Sequence, residues 1–282
     1  MDEESPLIAA GGFVISSPSV QDMQLNMLIW GNSGSGKTTL AATAPGRKLF
    51  ILFDPGGDLS LASRDDISTL NVTGAAPAII MAQLRAVDPF GLGKILEARP
   101  DIETVVVDSM TVLAHVALAE AVTRAGGTST FEQPGQNGWA FRNQSLLRVT
   151  VALMRMCAQH KRHLILITHE GPETQLPNGV VSSVKMALSN SVANQVGLRF
   201  NEIWHLEDIG TERRIAVRTC RFWTPMKTRM FVSTHPEFVW HYDADTGEGE
   251  GIADWYRAWQ AGGGKKLPLP VRVTTNKGVV KK

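Results

Sequence analysis

The sequence predicts an α/β fold with a mainly parallel central sheet, on three observations. Short runs that are apolar along their whole length recur through the first two thirds of the chain. Segments with helical spacing separate them. A glycine-rich turn joins the first such run to the first helix. Strands that are apolar on both faces need helices on both faces, and that is the pattern of a parallel sheet.

Taken in order, LNMLIW (Leu25 to Trp30) reads as a buried strand, and Gly36 to Ala44 as a helix stopped by Pro45-Gly46. KLFILF (Lys48 to Phe53) is a second buried strand, closed by Asp54-Pro55-Gly56-Gly57. Pro77 to Ala98 has helical spacing broken at Pro89-Phe90-Gly91. ETVVVD (Glu103 to Asp108) is a third strand, and Thr111 to Arg124 a helix. Gly126 to Gly138 reads as a surface loop, Trp139 to His160 as a long amphipathic helix, and HLILIT (His163 to Thr168) as a fourth strand. Beyond Gly171 the pattern changes. A polar segment runs to about Gly197, followed by strand-like runs at Glu202–Leu206, Arg213–Thr219 and Glu237–Trp240 and a short helix near Ile252–Trp259. These later strands are expected as antiparallel additions at the C-terminal edge of the sheet. The expected division is an N-terminal extension (1–24), a core (25–260) and a basic, disordered tail (261–282).

Composition narrows the class. The chain has 282 residues, 43% hydrophobic and 20% charged, enough to bury a core without disulfides or metal. Its two cysteines, Cys157 and Cys220, are far apart in apolar stretches and read as reduced, buried thiols. No apolar run reaches the ~18 residues of a membrane span, and the start, Met-Asp-Glu-Glu-Ser, is acidic where a secretory signal is basic. A cytoplasmic protein is expected. The net charge is +1, but Lys265, Lys266, Arg272, Lys277, Lys281 and Lys282 follow Gln260 with no acid among them. Such a tail either attracts phosphates or an acidic partner, or only keeps itself soluble.

Gly31-Asn32-Ser33-Gly34-Ser35-Gly36-Lys37-Thr38 satisfies G-x-x-x-x-G-K-[ST] at every defined position, between a strand and a helix. Phosphate oxygens need many short backbone N–H bonds, and a loop wraps that closely only where side chains are absent. Lys37 is expected to bring its charge to the β- and γ-phosphates of ATP, and Thr38 to offer its hydroxyl to Mg²⁺; Thr39 completes the cradle. The apolar run Val105-Val106-Val107 ends in Asp108, placed to hold Mg²⁺ beside Thr38. His169 closes the fourth strand, where carboxyl ends face the ligand, and is a candidate to contact the γ-phosphate.

WGNSGSGKTTLA, FILFDPGG, TVVVDSMT and LILITHE together resemble the phage-type AAA-domain nucleotide-binding proteins. These are RecA-like core ATPases that include the Sak-type single-strand annealing proteins. The resemblance covers about residues 25 to 230, and Trp139 matches a tryptophan the family tends to carry ahead of the long helix. It implies a central P-loop strand and an ATPase, DNA-stimulated, that assembles into a ring or filament on single-stranded DNA. A single-stranded DNA-binding protein is a further possible partner, and no membrane is expected. It also implies a DNA-contacting segment at Gly171 to Gln195, with Lys185, Asn190, Asn194 and Gln195, and a K-x-R element, Lys227-Thr228-Arg229, that reaches into a neighbour's site. One position departs from the family. Pro55 stands where a Glu that orients the attacking water is expected, so Asp54 is the first replacement, with Asp58 and Glu170 as others. The remaining readings are a helicase loader or helicase core, and a nucleotide-dependent switch or kinase-like enzyme that does not act on DNA.

Overall fold

The computed structural model describes the chain except for residues 1–6, 10–12, 16–18, 55, 58, 63, 128–134, 176–180, 220–225, 233 and 271–282. Two short strands, β1 (Leu7–Ala9) and β2 (Phe13–Ile15), form an antiparallel pair of their own. The core begins with β3 (Asn26–Gly31), the P-loop and α1 (Lys37–Ala42), then β4 (Arg47–Leu52) and β5 (Ile67–Asn71). Next come α2 (Pro77–Gln83), α3 (Leu92–Ala98), β6 (Ile102–Asp108), α4 (Met110–Arg124), α5 (Gly135–Gln159) and β7 (His163–His169). The small hairpin β8 (Thr174–Gln175) and β9 (Val181–Ser183) leads to α6 (Asn190–Arg199). Strands β10 (Glu202–Asp208), β11 (Arg213–Ala216) and β12 (Glu237–Trp240) and helix α7 (Ile252–Ala261) complete it.

Eight strands form the main sheet in the order β12-β11-β10-β3-β7-β6-β4-β5. From β10 to β5 every pairing is parallel, whereas β11 and β12 add antiparallel beyond β10. The P-loop strand is therefore interior, and the antiparallel strands lie at one edge, as expected. Alternation along each strand divides the core. Met27, Ile29, Val106, Ile165 and Ile167 point to the face covered by Leu40 and Ala41 of α1 and by Ile252, Trp255 and Trp259 of α7. Leu28, Trp30, Val105, Val107, Leu164 and Leu166 point to the other face, covered by α2 to α6. Each fully buried large apolar side chain contributes ~1.5–3 kcal/mol relative to exposure. Among the described residues, no helix is long and apolar enough to cross a membrane.

Four expectations need correction. First, β5 was not expected. It is an edge strand with little apolar content, half-buried or exposed along its length. Second, the break at Pro89–Gly91 is where it was expected, with Phe90 at φ 61°, but the first helix, α2, already ends at Gln83. Third, the polar segment ending near Gly197 is not all loop. Ser189 caps α6 by accepting from the Val192 N–H, and Val192, Ala193 and Val196 are buried. Its Asn190, Asn194 and Gln195 lie on the exposed side, so a short amphipathic helix is hidden by its Ser/Asn-rich composition. Fourth, disorder does not begin at Gly262. Leu267 pairs with Phe231, and Leu269 is buried. Arg272, Lys277, Lys281 and Lys282 lie outside the described residues, as do Cys220 and most of the loop before α5.

Candidate nucleotide site

The carboxyl ends of β3, β4, β6 and β7 converge on one cleft of about 510 Å³. Ser33, Gly34, Gly36, Lys37, Thr38, Thr39, Asp54, Asp108 and His169 line it, together with Gly56, Gly57 and Arg213. Gly31, Asn32 and Ser35 build the loop behind it. Gly34 and Gly36 hold φ of 78° and 92°, which L side chains rarely adopt. Gly31 is required for another reason: a Cβ there would lie 2.0 Å from the Leu206 carbonyl oxygen of β10.

Lys37 is 5% exposed, yet its ammonium finds only neutral acceptors. It donates to the carbonyls of Gly31 (3.0 Å) and Asn32 (2.5 Å), with Ser35 Oγ at 3.5 Å. Burial lowers its pKa to about 8, and the more distant Asp108, Glu170 and Asp54 only partly offset this. Asp108 closes β6, and its Oδ2 accepts from Thr38 Oγ1 at 2.7 Å. Burial raises its pKa, with Asp54 adding to the effect; the Thr38 hydroxyl and Lys37 oppose it. His169 pairs in register with Gly31 across β3 and β7. Burial lowers its pKa and the Lys37 cation adds to that. Asp54 follows β4, whose end is tied to β6 by the Phe53 N–H donating to the Asp108 carbonyl.

These residues fit a nucleoside triphosphate with its cation. A buried ammonium without a carboxylate partner, beside a side-chain-free cradle, is a site for polyanionic oxygen. A hydroxyl and a carboxylate already in contact suit Mg²⁺, which takes one or two protein oxygens and completes its shell from phosphates and water. A larger cavity of about 820 Å³ opens at the opposite end of the sheet. Its Lys48 and Arg64 both bond Asp66, so size is the poorer guide here and chemistry the better.

The AAA-domain family model matches residues 23–230. The chain belongs to the AAA-domain family. It is a P-loop ATPase, and the family implies nucleotide binding, usually with Mg²⁺. No curated protein matches the sequence. Among solved structures the chain is similar to the crystal structure of the RadB recombinase, at 14% identity over 78% of this chain and 88% of that one, with a TM-score of 0.45.

Not every expected site residue joins the cleft. Lys227 bridges to Ile203, which pairs with Leu28, three residues before Gly31. Its ammonium donates to the Phe200 carbonyl at 2.8 Å, and the Arg229 N–H donates to Glu202 Oε1 at 2.7 Å. Both residues therefore sit toward the amino end of β10, about 10 Å or more along the sheet from the phosphate loop. Glu170 is engaged with His205, Oε2 to Nε2 at 2.8 Å. Pro55 and Asp58 lie outside the described residues. Sequence reasoning missed Arg213 as a site residue. Its neighbour Arg214 looks equivalent in the sequence, and only strand register separates them.

Proposed function

We propose that this ATPase is a RecA-like DNA recombination protein that assembles on single-stranded DNA and promotes annealing or strand pairing. Lys37 and the backbone amides from Gly31 to Thr39 would hold the phosphates, and Thr38 and Asp108 the Mg²⁺, which supplies charge neutralisation when bound. Asp54 is assigned to orient the attacking water. A carboxylate displaced by one position from the expected one suits slow turnover, in which ATP acts as an assembly switch. His169 is assigned to contact the γ-phosphate.

One observation carries the link to DNA. The His169 carbonyl, on the residue that lines the cleft, accepts from the Ala187 N–H at 2.7 Å, and the Gly171 N–H donates to the Lys185 carbonyl at 2.7 Å. Glu170 and Met186 also form an antiparallel bridge. The segment that the resemblance assigns to DNA is thus bonded directly to the end of β7. Ser189 Oγ then donates to Asn143 Oδ1 of α5 at 2.9 Å, which extends the connection to the long helix. A shift at His169 on nucleotide binding would be carried by backbone bonds rather than by a flexible loop.

The test is steady-state ATPase activity with and without single-stranded DNA, paired with negative-stain imaging in ATP. Stimulated turnover and rings or filaments on DNA are expected, with binding that weakens steeply as salt rises. Turnover indifferent to DNA, with no DNA retained at low salt, would exclude this reading and leave a nucleotide-dependent switch. Lys227 and Arg229 lie away from the cleft of their own chain, so a role for them in hydrolysis must be in trans. Mixing Lys37→Ala with Arg229→Ala protein, each inactive alone, should restore part of the activity. Co-assembly without recovery would remove that role.

A further inference from the structure

Strand β11 carries two consecutive arginines, and register gives them different surroundings. Ile215 packs in the cluster on the α1 side of the sheet and Ala216 in the opposite cluster. Alternation therefore places Arg213 on the α1 side with Ile215, and Arg214 on the other. Arg214 NH2 bonds Glu212 Oε1 at 2.6 Å, a close and complete ion pair. Arg213 is held less firmly. Its Nε meets Asp208 Oδ2, its cross-strand partner, at 3.4 Å, and both side chains are 35% exposed.

The position of the Arg213 guanidinium is the informative fact. Its Cζ and Nε lie 3.3 Å from where a Cβ on Gly36 would be. The bare α-carbon of Gly36 is needed for its φ of 92° and also leaves room for this approach. Arg213 also lines the cleft with Lys37, Thr38 and Thr39. A planar fork of donors, loosely held by one half-exposed carboxylate and resting on the phosphate loop, matches phosphate oxygens in geometry and charge. Nothing in the packing of β11 requires a charge there, since Ile215 already supplies the apolar contact to the core.

We propose that Arg213 is a nucleotide-phosphate ligand supplied by the same chain, whose guanidinium exchanges Asp208 for a phosphate oxygen of bound ATP. This rests on the reading of Gly31–Thr39 as the phosphate cradle. Asp208 acts as a placeholder: it keeps the guanidinium over the loop in the free protein and competes with the phosphate for it. Opposite-charge cross-strand pairing sets the side-chain direction, and the triphosphate, with more charge, displaces the carboxylate.

Titration of a fluorescent ATP analogue into the full-length protein tests this. Wild type, Arg213→Ala, Arg213→Lys, Arg214→Ala and Lys37→Ala are compared, with thermal melting confirming that each is folded. Arg213→Ala should weaken binding about ten- to a hundredfold, the scale of a charge-assisted hydrogen bond. Arg213→Lys should recover part of that loss, and Arg214→Ala should bind as wild type. Asp208→Asn should tighten binding severalfold, and the gain should vanish when Arg213→Ala is combined with it. A merely structural ion pair predicts the reverse, because Asp208→Asn would then weaken binding or leave it unchanged. Arg213→Ala that binds within twofold of wild type, while Lys37→Ala does not bind, overturns the proposal and leaves the phosphate cradle standing. Wild-type protein that fails to bind the analogue overturns both.

Discussion

Two lysines at opposite ends of the sheet are about equally buried, Lys37 at 5% and Lys48 at 4% exposure, and burial lowers the pKa of both. Their company differs. Lys48 contacts Asp66 at 2.5 Å, and Asp66 is also held by Arg64, which reaches Tyr242 Oη. Burial works against the Asp66 carboxylate, but Arg64 and Lys48 together hold its pKa below the ordinary value. Lys37 has three neutral oxygens and no carboxylate within hydrogen-bond reach among the described residues. A buried charge with its counter-ion in place is part of the architecture; one without it marks where an anion is to come.

The largest effect that tests this contrast is on turnover. Lys37→Ala should lower ATP hydrolysis at least ~10²-fold with the fold intact, as expected when a cation that balances developing phosphate charge is lost. Asp108→Asn should keep much of the nucleotide affinity and lose Mg²⁺-dependent turnover. Wild-type hydrolysis in Lys37→Ala protein, measured in a coupled assay, would break the comparison at its root.

The second effect is on stability and is larger at Lys37 than at Lys48. Lys37 in the folded protein has a pKa of about 8 against an ordinary 10.5. Below pH 8 it is charged in both folded and unfolded states, and folding bears the full burial penalty, about 3 kcal/mol at most. Between about 8 and 10.5 the unfolded chain binds more protons, so this contribution raises stability with pH. Lys37→Met should therefore raise the melting temperature of the nucleotide-free protein at pH 7 and flatten its rise above pH 8. Burial lowers the pKa of Lys48 too, but its bond to Asp66 opposes that, so Lys48→Met should raise the melting temperature less than Lys37→Met does. Equal shifts in parallel melts would show that the lysines are equivalent.

The smallest effect concerns the loop's frame. Gly31→Ala should cost roughly 1–3 kcal/mol, because its Cβ must displace the Leu206 carbonyl. Gly34→Ala, whose Cβ meets nothing within 4 Å, should bear only the strain of its φ of 78°. Urea melts of the two variants measure the difference.

Much of this was legible in the sequence because the relevant signals are local. Lys37, Thr38 and the glycines are fixed by a contiguous motif, and Asp108 and His169 by their places at the ends of apolar strands. The strand alternation that divides the core is likewise a property of short windows. What escaped depends on partners distant in sequence. Arg213 and Arg214 are indistinguishable until the β10–β11 register is known. β5 has too few apolar residues to announce itself, being formed by its pairing with β4. The order of residues 262–270 comes from Leu267 pairing with Phe231, across more than thirty residues. Lys227 and Arg229 read as an element reaching into a neighbour's site, and nothing in the sequence signals that buried Glu202 anchors the backbone that carries them by accepting from the Arg229 and Met230 N–H groups.

The missing side chain at Gly31 also has a mechanical consequence. Where the loop leaves β3 there is no cushion between it and the Leu206 carbonyl, so neither part can approach the other. Compression at this point passes straight through. A push on β10, or on the β10–β11 hairpin that bears Asp208 and Arg213, reaches the first residue of the loop as a displacement of the backbone itself, with no side-chain rotamer able to absorb it. A molecule pressing on that edge of the sheet would have a short, stiff lever on the mouth of the nucleotide cleft.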